Sequence, residues 1–336
     1  MKEALFYERE GNLQVRCRLC RFNCLIGDGA RGVCAVRENR GGTLYSLVYG
    51  KVCAEHVDPI EKKPLFHVMP GSRTYSIATV GCNFRCRHCQ NYSISQVTSH
   101  GVIRGVHRSP QEVVSQALAS GCSSIAYTYT EPTIFFEFAY DTARLAKEAG
   151  LNNIFVTNGY IGKEPLALIA PYLHAANIDL KGFSERFYGD VVHARLSEVL
   201  ESILEYRRQG VWIELTTLLI PGLNDSDEEL QGIASFIATN LGIDTPWHVS
   251  RFHPTYQLQD RPRTPVATLR RAGEIGREAG LRYVYEGNVP GEGGENSYCP
   301  SCSTLLIQRY GYVIRMNRIR NGACPACDTE IAGIGM

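Results

Sequence analysis

The sequence predicts an α/β protein. Its centre reads as an open, partial parallel barrel, flanked by cysteine-rich segments at both ends. Three observations predict this. Short apolar runs alternate with amphipathic stretches five or six times through the middle of the 336-residue chain. Thirteen cysteines fall mostly into three tight groups, and the last group has the spacing of paired metal knuckles. Strand–helix–strand repeated in this way means a parallel sheet with right-handed crossovers. A closed eight-unit barrel needs more units than the chain offers, so the barrel is read as open.

The strand candidates are Tyr75–Val80, Ser124–Tyr129, Ile154–Thr157, Ala176–Leu180, Val211–Leu219 and Trp247–Phe252, with Tyr283–Tyr285 a weaker seventh. The helices between them have readable ends. Ser109-Pro110-Gln111-Glu112 is a capping box with proline at the first helical position, and Gly121 closes that helix. Glu137–Ala149 runs to Gly150, and Leu196–Arg208 stops before Gly210. Three regions follow: residues 1–65, a cysteine-rich segment; 66–290, the barrel, entered through IEKKPLFHVMPGSR; and 291–336, reached through the Gly-rich VPGEGGEN stretch.

Composition narrows the function class. Apolar residues make up 44% and charged residues 21%, with a formal charge of +1 and no basic or acidic run. Neither a nucleic-acid backbone nor a membrane surface is implied as partner. The opening MKEALFYEREGN lacks the apolar core of a signal peptide, and no run is long enough to span a bilayer, so the expected location is cytoplasmic. Disulfides are rare in a reducing cytosol, so tightly grouped thiols read as metal ligands. The groups are Cys17, Cys20, Cys24 and Cys34; Cys82, Cys86 and Cys89; and Cys299, Cys302, Cys324 and Cys327. Cys53 and Cys122 stand alone and read as small buried hydrophobes.

The central group, Gly81-Cys82-Asn83-Phe84-Arg85-Cys86-Arg87-His88-Cys89-Gln90-Asn91, has C-x3-C-x2-C spacing directly after the first barrel strand. Three thiolates bind three irons of a cubane and leave the fourth iron open, whereas most electron-transfer clusters are closed by four cysteines. An open metal position is where a substrate or cofactor binds. Its place at the C-terminal end of a barrel strand is where such folds build active sites. A three-cysteine zinc site and unligated loop thiols are the alternatives.

This spacing and placement resemble the signature of the radical S-adenosylmethionine (radical SAM) superfamily. GCNFRCRHCQN resembles the branch that includes pyruvate formate-lyase activating enzymes. The whole chain resembles the radical SAM member of the AmmeMemoRadiSam group, through C-R-L-C…C…G-V-C near the N-terminus, YG…DPIEKKPLFH…PGS, and the terminal C-P-x-C pair. The resemblance implies a partial (β/α)6 TIM-like barrel and a [4Fe-4S] cluster on Cys82, Cys86 and Cys89. It also implies reductive cleavage of S-adenosylmethionine to a 5′-deoxyadenosyl radical that abstracts hydrogen from a substrate not identified by the sequence. A flavodoxin or ferredoxin as reductase, and partnership with Memo-type and Ammecr-type proteins, are implied in the same way.

The other strand ends carry groups suited to that cofactor. Thr128-Tyr129-Thr130-Glu131 stands where the superfamily has Gly-Gly-Glu, so only Glu131 transfers; a carboxylate accepting from the cofactor's ammonium is a charge-assisted bond. Asn158, in Thr157-Asn158-Gly159, resembles the activases' Thr-Asn-Gly and is suited to cofactor oxygens. Asp179 and Lys181, two residues apart, point the same way on an extended chain and suit a ribose hydroxyl or cation and the cofactor carboxylate respectively. His253 matches a strand-end histidine near the nucleoside, and His88 fits the aromatic position near adenine. Four of them have plainer alternatives: Glu131 as a helix cap, Asp179 and Lys181 as a mutual ion pair, His253 as a satisfied strand-end histidine. The turn Pro221-Gly222-Leu223-Asn224-Asp225 carries no assignment.

Cys299-Pro-Ser-Cys302 and Cys324-Pro-Ala-Cys327 have the two-knuckle pattern of a zinc ribbon or rubredoxin-like site, with Leu305–Arg309 and Tyr312–Met316 as the hairpin between them. Ser303 and Asp328 stand where such knuckles usually carry glycine. Zinc is favoured over a single iron, although thiolates alone do not choose. Cys17-x2-Cys20-x3-Cys24-x9-Cys34 is dense enough for one metal site, with zinc, an auxiliary cluster or packed thiols all open. Two rival functions are a glycyl-radical activase acting on a protein and a metal-stabilised binding module. The eight-cysteine insertion of many activases is missing between Cys89 and Cys122.

Overall fold

The computed structural model describes residues 1–336. The chain divides into two compact units, one of residues 1–58, 73–176 and 197–211 and the other of residues 59–72, 177–196 and 212–336.

In the first unit the strands Arg73–Ala78, Ser124–Tyr127 and Asn152–Thr157 are parallel neighbours, with Ser124 opposite Thr74 on one side and Asn152 on the other. Ser124–Tyr127 is buried at every residue, as a strand covered on both faces must be. The connecting helix Pro110–Ala119 begins as its sequence dictates. The Ser109 hydroxyl accepts from the Glu112 amide at 3.2 Å, the Glu112 carboxylate accepts from the Ser109 amide at 2.6 Å, and Gly121 follows in the left-handed region at φ 62°. Helices Phe136–Glu148 and Leu196–Arg208 fall within a residue or two of their expected limits. The N-terminal segment forms two small antiparallel sheets. One holds Lys2–Glu3, Thr43–Ser46 and Arg37–Arg40; the other holds Tyr7–Arg9, Val15–Cys17 and Leu25–Ile26.

In the second unit Trp212–Leu219, Trp247–Arg251 and Val284–Gly287 are parallel neighbours, so the weak seventh strand is present. Helices Asp227–Phe236 and Val266–Glu278 connect them. Gly276 sets how closely the last helix approaches, since a Cβ there would stand 2.7 Å from Val284 and 3.2 Å from the buried Trp247 ring. The fourth strand, Ala175–Asp179, lies across the chain position where the division falls.

The segment 59–72 is a buried polar insert rather than a simple lead-in. Glu214 accepts from the backbone amides of Phe66 (2.9 Å) and His67 (2.8 Å) and contacts His248 Nε2 at 2.7 Å. His67 Nε2 meets the Tyr285 hydroxyl and His67 Nδ1 the Ala332 carbonyl, both at 2.6 Å. Arg309 donates to Ser297 (2.8 Å) and to the Phe66 carbonyl (3.0 Å). The C-terminal hairpin, Leu305–Tyr310 with Val313–Asn317, and the last residues are thereby pinned to this unit.

Candidate functional site

The loop after the first parallel strand closes on itself, with the Gly81 amide donating to Ile94 O at 2.8 Å and Cys89 N to Cys86 O at 3.2 Å. This carries all three cysteines on one short closed loop. Burial raises the Cys82 thiol well above its ordinary range, and Glu131, Cys86 and Cys89 each push it further. Donors already face the sulfurs. Phe84 N lies 3.4 Å and Asn158 Nδ2 3.9 Å from Cys82 Sγ, and the Ser95 hydroxyl is 3.1 Å from Cys89 Sγ. Beside Cys82, the amide nitrogen of Asn83 is buried without a partner. Thiols of one loop faced by N–H and O–H donors fit an anionic iron–sulfur group whose sulfurs accept hydrogen bonds.

The ends of the next two strands converge on this loop. Glu131 is buried and caps the 3-10 turn Pro132–Phe135. Its Oε1 accepts from Thr133 N (3.0 Å), Thr133 Oγ1 (2.6 Å) and Thr157 Oγ1 (2.8 Å), and its Oε2 accepts from Asn158 N (2.8 Å). Burial holds its carboxyl above the ordinary range, against the pull of those donors. The capping alternative therefore describes its bonds in this structure, while the carboxylate also sits next to Cys82. Asn158 donates to Asn83 Oδ1 at 2.8 Å and accepts from Tyr160 N at 3.0 Å. His88 is buried inside the loop.

Tyr129, where the superfamily pattern has glycine, adopts φ 61° with Thr130 N bonded to Thr128 O at 2.7 Å. A bulky residue in such a tight turn is strained by about 1–3 kcal/mol. It is held at both ends, its carbonyl by Asn91 Nδ2 at 2.7 Å and its hydroxyl by Asp58. No sequence signal announced this conformation or its tethers.

Asp179, Lys181 and His253 belong to the second unit. Asp179 and Lys181 pair at 2.9 Å with side chains 34% and 17% exposed, which is the mutual ion pair named above as the alternative. His253 follows the strand Trp247–Arg251, and partial burial, with Arg263 and Arg251 nearby, lowers its pKa.

The C-terminal knuckles form a ready metal cage. Cys299 Sγ stands 3.6 Å from Cys327 Sγ, and Cys302 Sγ 3.7 Å from Cys324 Sγ and 3.3 Å from Cys327 Sγ. A tetrahedral ion with metal–sulfur bonds near 2.3 Å separates its sulfurs by about 3.8 Å, so the four thiols fit one ion. Ser303 and Asp328 take φ 60° and 57°, the conformation that glycine usually supplies at these knuckle positions. The Thr304 hydroxyl and amide, then Cys327, pull the Cys302 thiol down to about 6, which favours the thiolate a metal requires.

The N-terminal quartet lies wholly in the first unit, where the Cys17 amide donates to Cys24 O at 2.9 Å. Burial, and then the charges of Cys17, Cys34 and Cys24, raise the Cys20 thiol well above its ordinary range. Sequence reading found these four cysteines but missed Arg37, which lies buried among them.

Comparison with known proteins gives consistent results. A family profile for the Radical SAM superfamily matches residues 76–236. The uncharacterised protein MJ0808 of Methanocaldococcus jannaschii is 46% identical over 334 residues, covering 98% of this chain and 99% of that protein. The isethionate sulfite-lyase activating enzyme of Nitratidesulfovibrio vulgaris is 22% identical over 48% of this chain and 57% of its own. Among solved structures, a radical SAM methyltransferase from Sphaerobacter thermophilus superposes with a TM-score of 0.52 at 17% identity, covering 65% of this chain and 67% of that one. That likeness bears on the fold alone, and it agrees with the α/β, partially closed parallel arrangement expected from the sequence.

Proposed function

The chain belongs to the radical SAM superfamily, and from that we propose that Cys82, Cys86 and Cys89 hold the [4Fe-4S] cluster while the adjoining strand ends bind S-adenosylmethionine. The observation that carries the assignment is the convergence of the three thiols with Asn158, Glu131 and the unpaired Asn83 amide. When bound, the cluster delivers one electron to the cofactor's sulfonium, yielding methionine and a 5′-deoxyadenosyl radical that takes a hydrogen atom from substrate.

The chain's own groups do the positioning. Asn158 offers an amide donor at the sulfur of Cys82, and the Asn83 carbonyl oxygen anchors that Asn158 amide. Glu131 fixes the Asn158 backbone and sets a negative charge beside the cluster loop, suited to the cofactor's ammonium. Tyr129 and Thr130 present backbone in place of the superfamily's glycines. His88 is the residue assigned to the aromatic position near adenine. Lys181, Asp179 and His253 serve the cofactor's carboxylate, ribose and nucleoside in this reading. Cys299, Cys302, Cys324 and Cys327 close a structural ion, zinc before iron. The regions 1–65, 66–290 and 291–336 then carry the N-terminal quartet, the radical chemistry and the ribbon.

The resemblance to the AmmeMemoRadiSam group supports Memo-type and Ammecr-type proteins as functional partners and a flavodoxin or ferredoxin as electron source. A second reading, activation of a glycyl-radical protein, is favoured by similarity to relatives with activating-enzyme names, which reaches about half of this chain. The decisive experiment is anaerobic reconstitution with dithionite. The wild type should release 5′-deoxyadenosine and methionine, and the C82A/C86A/C89A variant should release neither. Undiminished cleavage in that variant would refute the assignment.

A further inference from the structure

We propose that Cys17, Cys20, Cys24 and Cys34 hold an auxiliary iron–sulfur cluster that accepts hydrogen bonds from Arg37 and stands against the loop of the catalytic triad. The inference rests on the radical SAM reading for the role of that triad, and on separate residues for the site itself.

The four thiols form one set. Cys17 ends the strand Val15–Cys17, and its amide donates to Cys24 O at 2.9 Å. A Cβ at Gly32 would stand 3.6 Å from Cys24 Sγ, and the Gly32 carbonyl accepts from the amide of Ala35, next to Cys34, at 2.8 Å, so Cys17, Cys24 and Cys34 sit on one folded loop. None is in a disulfide. Cys17 and Cys34 are buried and Cys20 and Cys24 half-buried, so all four are shielded thiols free to ligate.

Arg37 supplies the second, independent observation. Its side chain is almost wholly buried. Nη2 donates to Leu5 O at 2.6 Å and to Glu137 Oε1 at 2.9 Å. Nε and Nη1 are buried and have no partner. Donors buried without an acceptor destabilise the fold unless a bound group accepts from them. Burial opposes the guanidinium charge, and Glu137, then Cys17 and Cys34, support it. Its charge also acts on the Cys24 and Cys34 thiols. A buried cation with two idle donors near three of the four thiols is arranged for an anionic, acceptor-rich group. A cubane offers thiolates and bridging sulfides together, and such hydrogen bonds are among the factors that set its potential.

Position favours a redox cluster over an inert ion. Gly81 precedes the first triad cysteine, and a Cβ there would stand 3.1 Å from Cys34 O and 2.6 Å from Val36, so the quartet's backbone touches the triad's. Cys20 bridges to Ile161, just beyond Asn158, and Arg21 N donates to Tyr160 O at 3.3 Å. The Tyr160 ring lies 4.9 Å from Phe22 of the quartet loop and 5.1 Å from Phe84 of the triad loop. Structural zinc gains nothing from this adjacency; two clusters so placed exchange an electron. The balance is simple. A one-electron protein reductant of the flavodoxin or ferredoxin class reduces the auxiliary cluster from 2+ to 1+. That electron passes to the triad's cluster, restoring 2+, and then to the sulfonium as its S–C5′ bond breaks.

The test uses the full chain reconstituted anaerobically with iron, sulfide and zinc all present. Wild type should carry about eight iron and eight sulfide. C82A/C86A/C89A should keep about four of each, and C17A/C20A should keep a different four. Reduced wild type should show an electron paramagnetic resonance spectrum broadened by spin–spin coupling, which both variants lose. Because Arg37→Met alone breaks a buried ion pair, R37M/E137Q is the matched variant. It should retain the iron but shift the quartet's midpoint potential downward, since charge and donors to the reduced state are lost. Zinc in the quartet, or no iron left in C82A/C86A/C89A, overturns the proposal. Loss of all iron from C17A/C20A with iron kept in C82A/C86A/C89A would instead leave the auxiliary site standing and sink the triad assignment.

Discussion

Replacing Glu131 by Gln tests whether one buried carboxylate holds the ends of two neighbouring parallel strands together. The native carboxylate accepts four hydrogen bonds, three at Oε1 and one at Oε2. An amide keeps one acceptor. The better orientation puts the Gln carbonyl where Oε1 stands, keeping the Thr133 and Thr157 bonds but aiming an NH2 at the Asn158 amide. That loses one bond to a charged group, worth about 1.5–3 kcal/mol, and sets two donors face to face. Burying a neutral amide rather than a carboxylate returns part of the loss. The net expectation is about 2 kcal/mol, roughly thirtyfold in the unfolding equilibrium. The freed Asn158 backbone also loosens the amide facing Cys82, so S-adenosylmethionine should bind at least about tenfold more weakly. Urea unfolding of the cluster-free protein reads the first effect, and calorimetric titration of the reconstituted protein reads the second. A variant within about 0.5 kcal/mol of wild type, with unchanged affinity and iron content, would refute the reasoning and leave Glu131 a dispensable cap.

Three further outcomes are expected. His67 is driven by burial down to about 4 from 6.5. The unfolded chain therefore binds its proton first, and stability is complete above about pH 6.5 and lost as pH falls towards 4. The difference of 2.5 units corresponds to about 3 kcal/mol. Urea midpoints for wild type should fall between pH 7 and 5 and change far less in H67Q, and equal slopes would count against the buried imidazole as the cause. Cys299→Ala should release one metal ion per chain and expose the Leu305–Tyr310 hairpin to proteolysis while triad iron is kept; unchanged metal content would remove the cage. Lys181→Met should cost under about 1 kcal/mol of stability, because its pair with Asp179 is partly exposed, yet weaken S-adenosylmethionine binding. Unaltered binding would confine Lys181 to the ion pair.

Much of this protein is written in local pattern. Capping chemistry at Ser109 and Glu112 and apolar runs such as Ser124–Tyr127 locate the elements, because a cap bonds three residues away and a buried strand must be apolar on both faces. Cysteine spacing announces the knuckles and the triad, since ligands from one short loop have little freedom in where they meet. What tertiary structure alone decided lies between distant residues. Glu131 caps its own turn but also holds Asn158, 27 positions on. Arg37 pairs with Glu137, 100 residues away, and leaves two donors beside the N-terminal thiols. Glu214 gathers Phe66, His67 and His248 into one buried network. Tyr129 sits at φ 61° with Asn91 holding its carbonyl and Asp58 its hydroxyl. A sequence shows which residues can donate, accept or carry charge. Which donor meets which acceptor, and which is left idle, depends on the packing that buries them, because only burial removes water as the alternative partner.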